Sequence, residues 1–121
     1  MLAAAAAARA DEIGTGWAGS LTMGAGQFCT NPGLVIGIAS PAFSVFTASL
    51  IAEIGQRPPQ TMLNAGTLSS YEHGLAALRA HPGVKHLAGQ PQEGRQARPQ
   101  LFQADVSLLL NGDELLQEEV F

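Results

Sequence analysis

GLVIGIA, residues 33–39, is the stretch on which the fold class turns. It is a short apolar run, rich in β-branched residues and without apolar–polar alternation. That pattern predicts a strand buried on both faces, as in a parallel sheet. Immediately after it, Ser40-Pro41 predicts a helix start, with Ser as N-cap and Pro at the first helical position. Phe43, Phe46, Leu50 and Ile54 come next at helical spacing, and Gly55 closes the run. Immediately before it lies GAGQFCTNPG, residues 24–33, which carries Cys29, the single cysteine of the chain. Glycines flank that thiol, and no charged residue or histidine lies near it.

Further out, alanine propensity predicts a helix over residues 2–13, and a second is expected around 15–24, with Trp17, Leu21 and Gly24 near one face. Downstream, Arg57-Pro58-Pro59 reads as a connector. Ser69 and Glu72 are spaced as a capping box before an apolar face of Tyr71, Leu75 and Leu78. That helix is expected to stop at His81-Pro82-Gly83. Residues 84–88 read as a short strand, 89–100 as a surface loop and 101–108 as another strand. Asn111 or Asp113 would cap a short final helix leading to Glu119. Buried strands alternating with amphipathic helices predict an α/β class, a layered sheet with flanking helices, without internal repeats.

The chain has 121 residues, enough for one domain with a core. Charged residues make up 13% against 46% hydrophobic, and residues 13–52 contain no Asp, Glu, Lys, Arg or His. So much neutral sequence predicts a segment covered on several sides. Gly, Thr, Ser, Asn and Pro interrupt it, which argues against a membrane span. The formal net charge is −4 with six Lys and Arg, which argues against nucleic-acid binding. One cysteine cannot form an internal disulfide, and the alanine-rich start lacks the basic residues of a signal peptide, so a cytoplasmic location is expected. The chain stops at LLQEEVF, on an apolar aromatic, which reads as a piece of a longer polypeptide.

Several readings compete for the segment around Cys29. A phosphate-binding loop at Gly19, Gly24 and Gly26 is disfavoured, because no Lys follows and the order of helix, loop and strand is reversed. Close approach of the backbone to another object is the better use of these glycines. A free cysteine often only packs, yet one on a Gly-flanked loop at the edge of a strand sits where nucleophiles collect. The thiolate is the nucleophile, so a base must come from elsewhere in the fold. His73, His81 and His86 are the candidates for a Cys–His pair, although each has an ordinary structural reading. No two residues show zinc-site spacing, so no metal is expected.

Two stretches together resemble the aldehyde dehydrogenase superfamily. GQFC, residues 26–29, resembles its Gly-Gln-x-Cys signature, and EEVF, residues 118–121, resembles the start of its Glu-x-Phe-Gly-Pro motif. The wording GSLTMGAGQFCTNPGLV, with YEHGLAALRAHPGV downstream, is most similar to the branch acting on α-ketoglutaric semialdehyde (2,5-dioxopentanoate). The resemblance implies that residues 1–121 form part of a catalytic domain, without the cofactor-binding domain and the C-terminal oligomerisation segment. It further implies that Cys29 attacks the aldehyde carbon to give a thiohemiacetal and then a thioester. Its own N–H would be one donor to the oxyanion. Glu119 would grip the nicotinamide ribose of NAD or NADP, and Phe121 would pack against the nicotinamide end. Gln27 matches the signature without an assigned chemical step. The general-base glutamate and the oxyanion-hole asparagine of the family have no counterpart in this sequence, so the chain alone is expected to be inactive. A small aldehyde substrate, a homo-oligomeric parent and self-association of this piece are expected. The rival readings are a Cys-dependent hydrolase or transferase using a Cys–His pair, and a non-catalytic packing module.

Overall fold

The computed structural model describes residues 3–91 and 94–117. Helix α1 spans Ala3–Leu21 and breaks at Arg9, whose φ of −146° and ψ of 33° leave the helical region. The two helices expected over 2–13 and 15–24 are therefore one element, with its break displaced toward the N-terminus. The reason is packing. Ala6, Ala10 and Ala18 are buried at four- and eight-residue intervals, and Gly14 lies on the same stripe. A Cβ at Gly14 would stand 2.9 Å from Ser49 Cβ and 3.2 Å from the Phe46 carbonyl. Helix α2, Pro41–Gln56, presses on that stripe and holds α1 helical through its glycines.

Helix α2 begins as the sequence predicts. The Ser40 hydroxyl accepts from the Phe43 N–H at 3.1 Å, with Pro41 in the first turn. Phe46, Leu50 and Ile54 are buried along one face, and Phe43 stacks on Phe46 with centroids 5.6 Å apart. Helix α3, Ala65–Ala80, starts earlier than the expected capping box: Asn64 is the N-cap, accepting from the Thr67 N–H at 2.9 Å. Ser69 and Glu72 fall inside the helix, so the expected box is corrected. Both α2 and α3 end two residues before a proline. Arg57 and His81 are extended, at φ/ψ of −65/132° and −74/122°, because a following proline disfavours the helical region.

The strands are short. β1 is Gln60–Thr61, β2 Val84–Ala88, β3 Gln96–Ala97 and β4 Leu101–Ala104. Among the described residues β1 pairs antiparallel with β3, and β2 with β4, in two separate two-stranded sheets. A bulge lies between His86 and Ala88. β4 ends at Ala104, and helix α4, Val106–Leu110, takes over where the strand was expected to continue. Asp105 caps it, accepting from the Ser107 N–H at 2.8 Å. The loop expected over 89–100 instead contributes β3, and its Ala97, Pro99 and Gln100 are buried. A 3-10 turn, Glu114–Gln117, comes last, its start capped by Asp113.

The mixture of helices and small antiparallel sheets fits the α/β class, but the layered sheet is not formed among the described residues. GLVIGIA is the largest departure. Residues 33–39 are assigned to no strand, and Leu34, Ile36 and Ile38 are 62%, 53% and 75% exposed. Val35 and Gly37 face the other way, Val35 against the core and Gly37 under the Phe43 ring. The segment thus alternates in exposure and is covered on one side by α2 rather than on both.

Two cores result. The first joins Ala10, Ala18, Leu21, Phe46, Leu50, Ile54 and Leu101 between α1, α2 and β4. The second gathers Ala25, Met62, Tyr71, Leu75 and Ala97 under α3. No described helix is long and apolar enough to cross a membrane.

Candidate active site: an amide-held cysteine turn

The chain leaves α1 through Thr22, whose hydroxyl donates to the Ala18 carbonyl at 2.9 Å. It then enters a left-handed run: Gly24, Ala25 and Gly26 have φ of 58°, 57° and 70°. Glycine tolerates this region; for Ala25 it costs about 1–2 kcal/mol. Ala25 is nevertheless 2% exposed and sits in the second core, so burial of its methyl offsets part of that strain. The run reverses the chain and delivers Gln27, Phe28 and Cys29 to the surface.

Three side-chain amides hold this reversal and the turn beyond it. The Ala25 N–H donates to Gln60 Oε1 at 2.7 Å, while Gln60 Nε2 donates to the Thr22 carbonyl at 2.9 Å. Gln27 Nε2 donates to the Gly24 carbonyl at 3.1 Å, and its Oε1 accepts from the Leu63 N–H at 2.7 Å. Asn31 Nδ2 reaches back to the Leu21 carbonyl at 2.7 Å. The Asn31 N–H donates to the Phe28 carbonyl at 3.0 Å, closing a four-residue turn with Cys29 at its second position. Cys29 is exposed and makes no hydrogen bond to any described residue. Its thiol and N–H therefore stand open on a turn whose neighbours are tied down.

The expected site residues fare unevenly. Cys29 lies on a surface turn, as expected. Glu119 and Phe121 lie outside the described residues. Gln27, without an assigned step at the outset, braces the turn against Leu63. Gln60 and Asn31 escaped the sequence reading, because a glutamine after Pro-Pro and an asparagine before Pro32 carry no spacing signal toward a turn up to 38 residues away.

None of the three histidines bonds to Cys29. His73 lies within α3. His81 Nδ1 accepts from the Gly83 N–H at 3.0 Å, which places the ring proton on Nε2, 2.9 Å from Asp113 Oδ2. His86 Nε2 faces Gln100 Oε1 at 2.9 Å, an oxygen that also accepts from Arg79 Nη2 at 3.1 Å. Tyr71 donates its phenol proton to the Arg98 carbonyl at 2.6 Å, and burial pushes its pKa up.

A nicotinamide dinucleotide needs a deep cleft beside the sulfur. Two surface hollows of about 410 and 430 Å³ lie against α3 and the first turns of α1, and neither is lined by Cys29 or its turn.

No model of a known protein family matches the chain. Among curated proteins, the chain is similar to a segment of two named as alpha-ketoglutaric semialdehyde dehydrogenases. It is 51% identical over 116 residues to the alpha-ketoglutaric semialdehyde dehydrogenase of Acinetobacter baylyi, spanning 94% of this chain and 22% of that protein. It is 38% identical over 120 residues to alpha-ketoglutaric semialdehyde dehydrogenase 2 of Azospirillum brasilense, spanning 98% of this chain and 23% of that protein. The resemblance drawn from GQFC and EEVF is thus borne out, and the chain spans less than a quarter of the length of these relatives.

Proposed function

We propose that this chain is the nucleophile-bearing segment of an NAD(P)-dependent aldehyde dehydrogenase acting on α-ketoglutaric semialdehyde. The observation that carries the reading is the 51% identity to a relative of that name, over a span that includes the exposed Cys29. The Cys29 thiolate would attack the aldehyde carbon, forming a C–S bond while the carbonyl π electrons move to oxygen. The Cys29 N–H is free to donate to that oxyanion. The chemistry of this chain's described residues ends at that tetrahedral adduct. A nicotinamide would supply the hydride acceptor, with Glu119 and Phe121 as this chain's contribution to holding it.

No described acidic side chain or histidine is hydrogen-bonded to Cys29 to take the thiol proton. We therefore also propose that the 121-residue chain turns over no aldehyde by itself. The test is Cys29→Ser in the full-length protein, with NAD(P)H formation from the semialdehyde as the readout. Turnover should fall by at least about 100-fold. Retained turnover would remove Cys29 from the mechanism and leave the packing-module reading standing.

A further inference from the structure

The left-handed run at residues 24–26 has a competitor. A chain leaving α1 could continue right-handed through Ala25, lengthening the helix and carrying Cys29 to a different place. Local sequence does not decide between the two, since alanine favours the helix. What opposes the helical course is an amide 35 residues away in sequence: Gln60 grips both ends of the reversal, accepting from the Ala25 N–H and donating to the Thr22 carbonyl. Gln60 is itself placed by β1, opposite Ala97 of β3, a residue with no exposed surface. β3 is held in turn by the Tyr71 hydroxyl on the neighbouring Arg98 carbonyl.

We infer that Gln60 is a positioning residue for Cys29, acting through the backbone reversal at Thr22–Ala25 and touching no substrate. The inference rests on the dehydrogenase reading only for its effect on turnover; its structural content is independent. One amide supplies a donor and an acceptor pointing at two backbone groups three residues apart. Among protein side chains only glutamine, or a glutamic acid carrying its proton, offers that pair at this length.

The test uses the full-length protein with Gln60→Met and Gln60→Glu. Three quantities are read: amide hydrogen exchange of the peptide covering residues 22–29, the rate of Cys29 alkylation by iodoacetamide, and kcat against KM for the semialdehyde. In Gln60→Met, exchange at Ala25 should rise at least about tenfold, with α2 and α3 unchanged. The alkylation rate should shift, and kcat should fall at least about tenfold with little change in KM. At neutral pH Gln60→Glu keeps an acceptor for the Ala25 N–H but loses the donor to the Thr22 carbonyl, so its protection at Ala25 should fall between the parent and Gln60→Met. It should regain protection at Ala25 below about pH 4, where the glutamate carries its proton and again offers a donor and an acceptor.

Unchanged exchange and alkylation in Gln60→Met would overturn the inference. If Gln60→Met does not fold, the pH reversal in Gln60→Glu decides: its absence overturns the inference, and its presence supports it. Should Cys29→Ser keep full turnover while Gln60→Met loosens Ala25, the dehydrogenase reading fails and the clamp stands.

Discussion

Ala25 shows how a single residue can be both strained and buried. Its φ of 57° suits glycine, yet its methyl is sealed in the second core. Ala25→Val adds two methyls and β-branching where φ is positive, so it should destabilise the protein by about 1–3 kcal/mol, measured as a shift in urea midpoint at constant slope. Tyr71 offers a test in alkali. Burial raises its pKa above the ordinary tyrosine value of about 10, so the fold prefers the neutral phenol. Between that value and the raised one, the unfolded chain has released its proton and the folded chain has not. Its contribution to stability is therefore complete below about pH 10 and is lost as pH climbs through the folded value. Tyr71→Phe should flatten that part of the stability–pH curve, as measured by denaturant unfolding.

At the scale of the element, α2 was the most legible. Its N-cap, its first-turn proline and its buried spacing are all local signals, and all three hold. GLVIGIA was the least legible, because composition reports what a segment can bury and not what covers it. An apolar run covered on one side has the same letters as one covered on both. The capping box at Ser69 and Glu72 misled for a related reason: Asn64 is an equally good cap and comes earlier. Asn64→Ala should cost about 1 kcal/mol in thermal or urea unfolding. The α1–α2 contact is more sensitive. Gly14→Leu has no room against Ser49 and the Phe46 carbonyl, and should destabilise by several times the Asn64 change, with loss of helical circular dichroism at a lower temperature.

For the whole molecule, the two cores divide the labour: one joins α1 to α2, and the other fastens β1, β3 and the buried Ala25 beneath α3. The cysteine turn lies where they meet, since Leu21 belongs to one core and Ala25 to the other. Sequence reading singled out Cys29 through its glycine-rich setting and the motif around it, and the structure places it on an exposed turn. It missed Gln60 because that contact exists only after the two cores have folded. Leu34 and Ile38 contribute little to either core, so Leu34→Ser with Ile38→Ser should leave the melting temperature within a few degrees while reducing dye binding to apolar surface. The lone sulfur has a practical corollary. With no second thiol in the 121 residues and with this one facing solvent, any maleimide reporter attaches at a single address. A fluorophore placed there would register each opening of the bend beneath it as a change in its own emission.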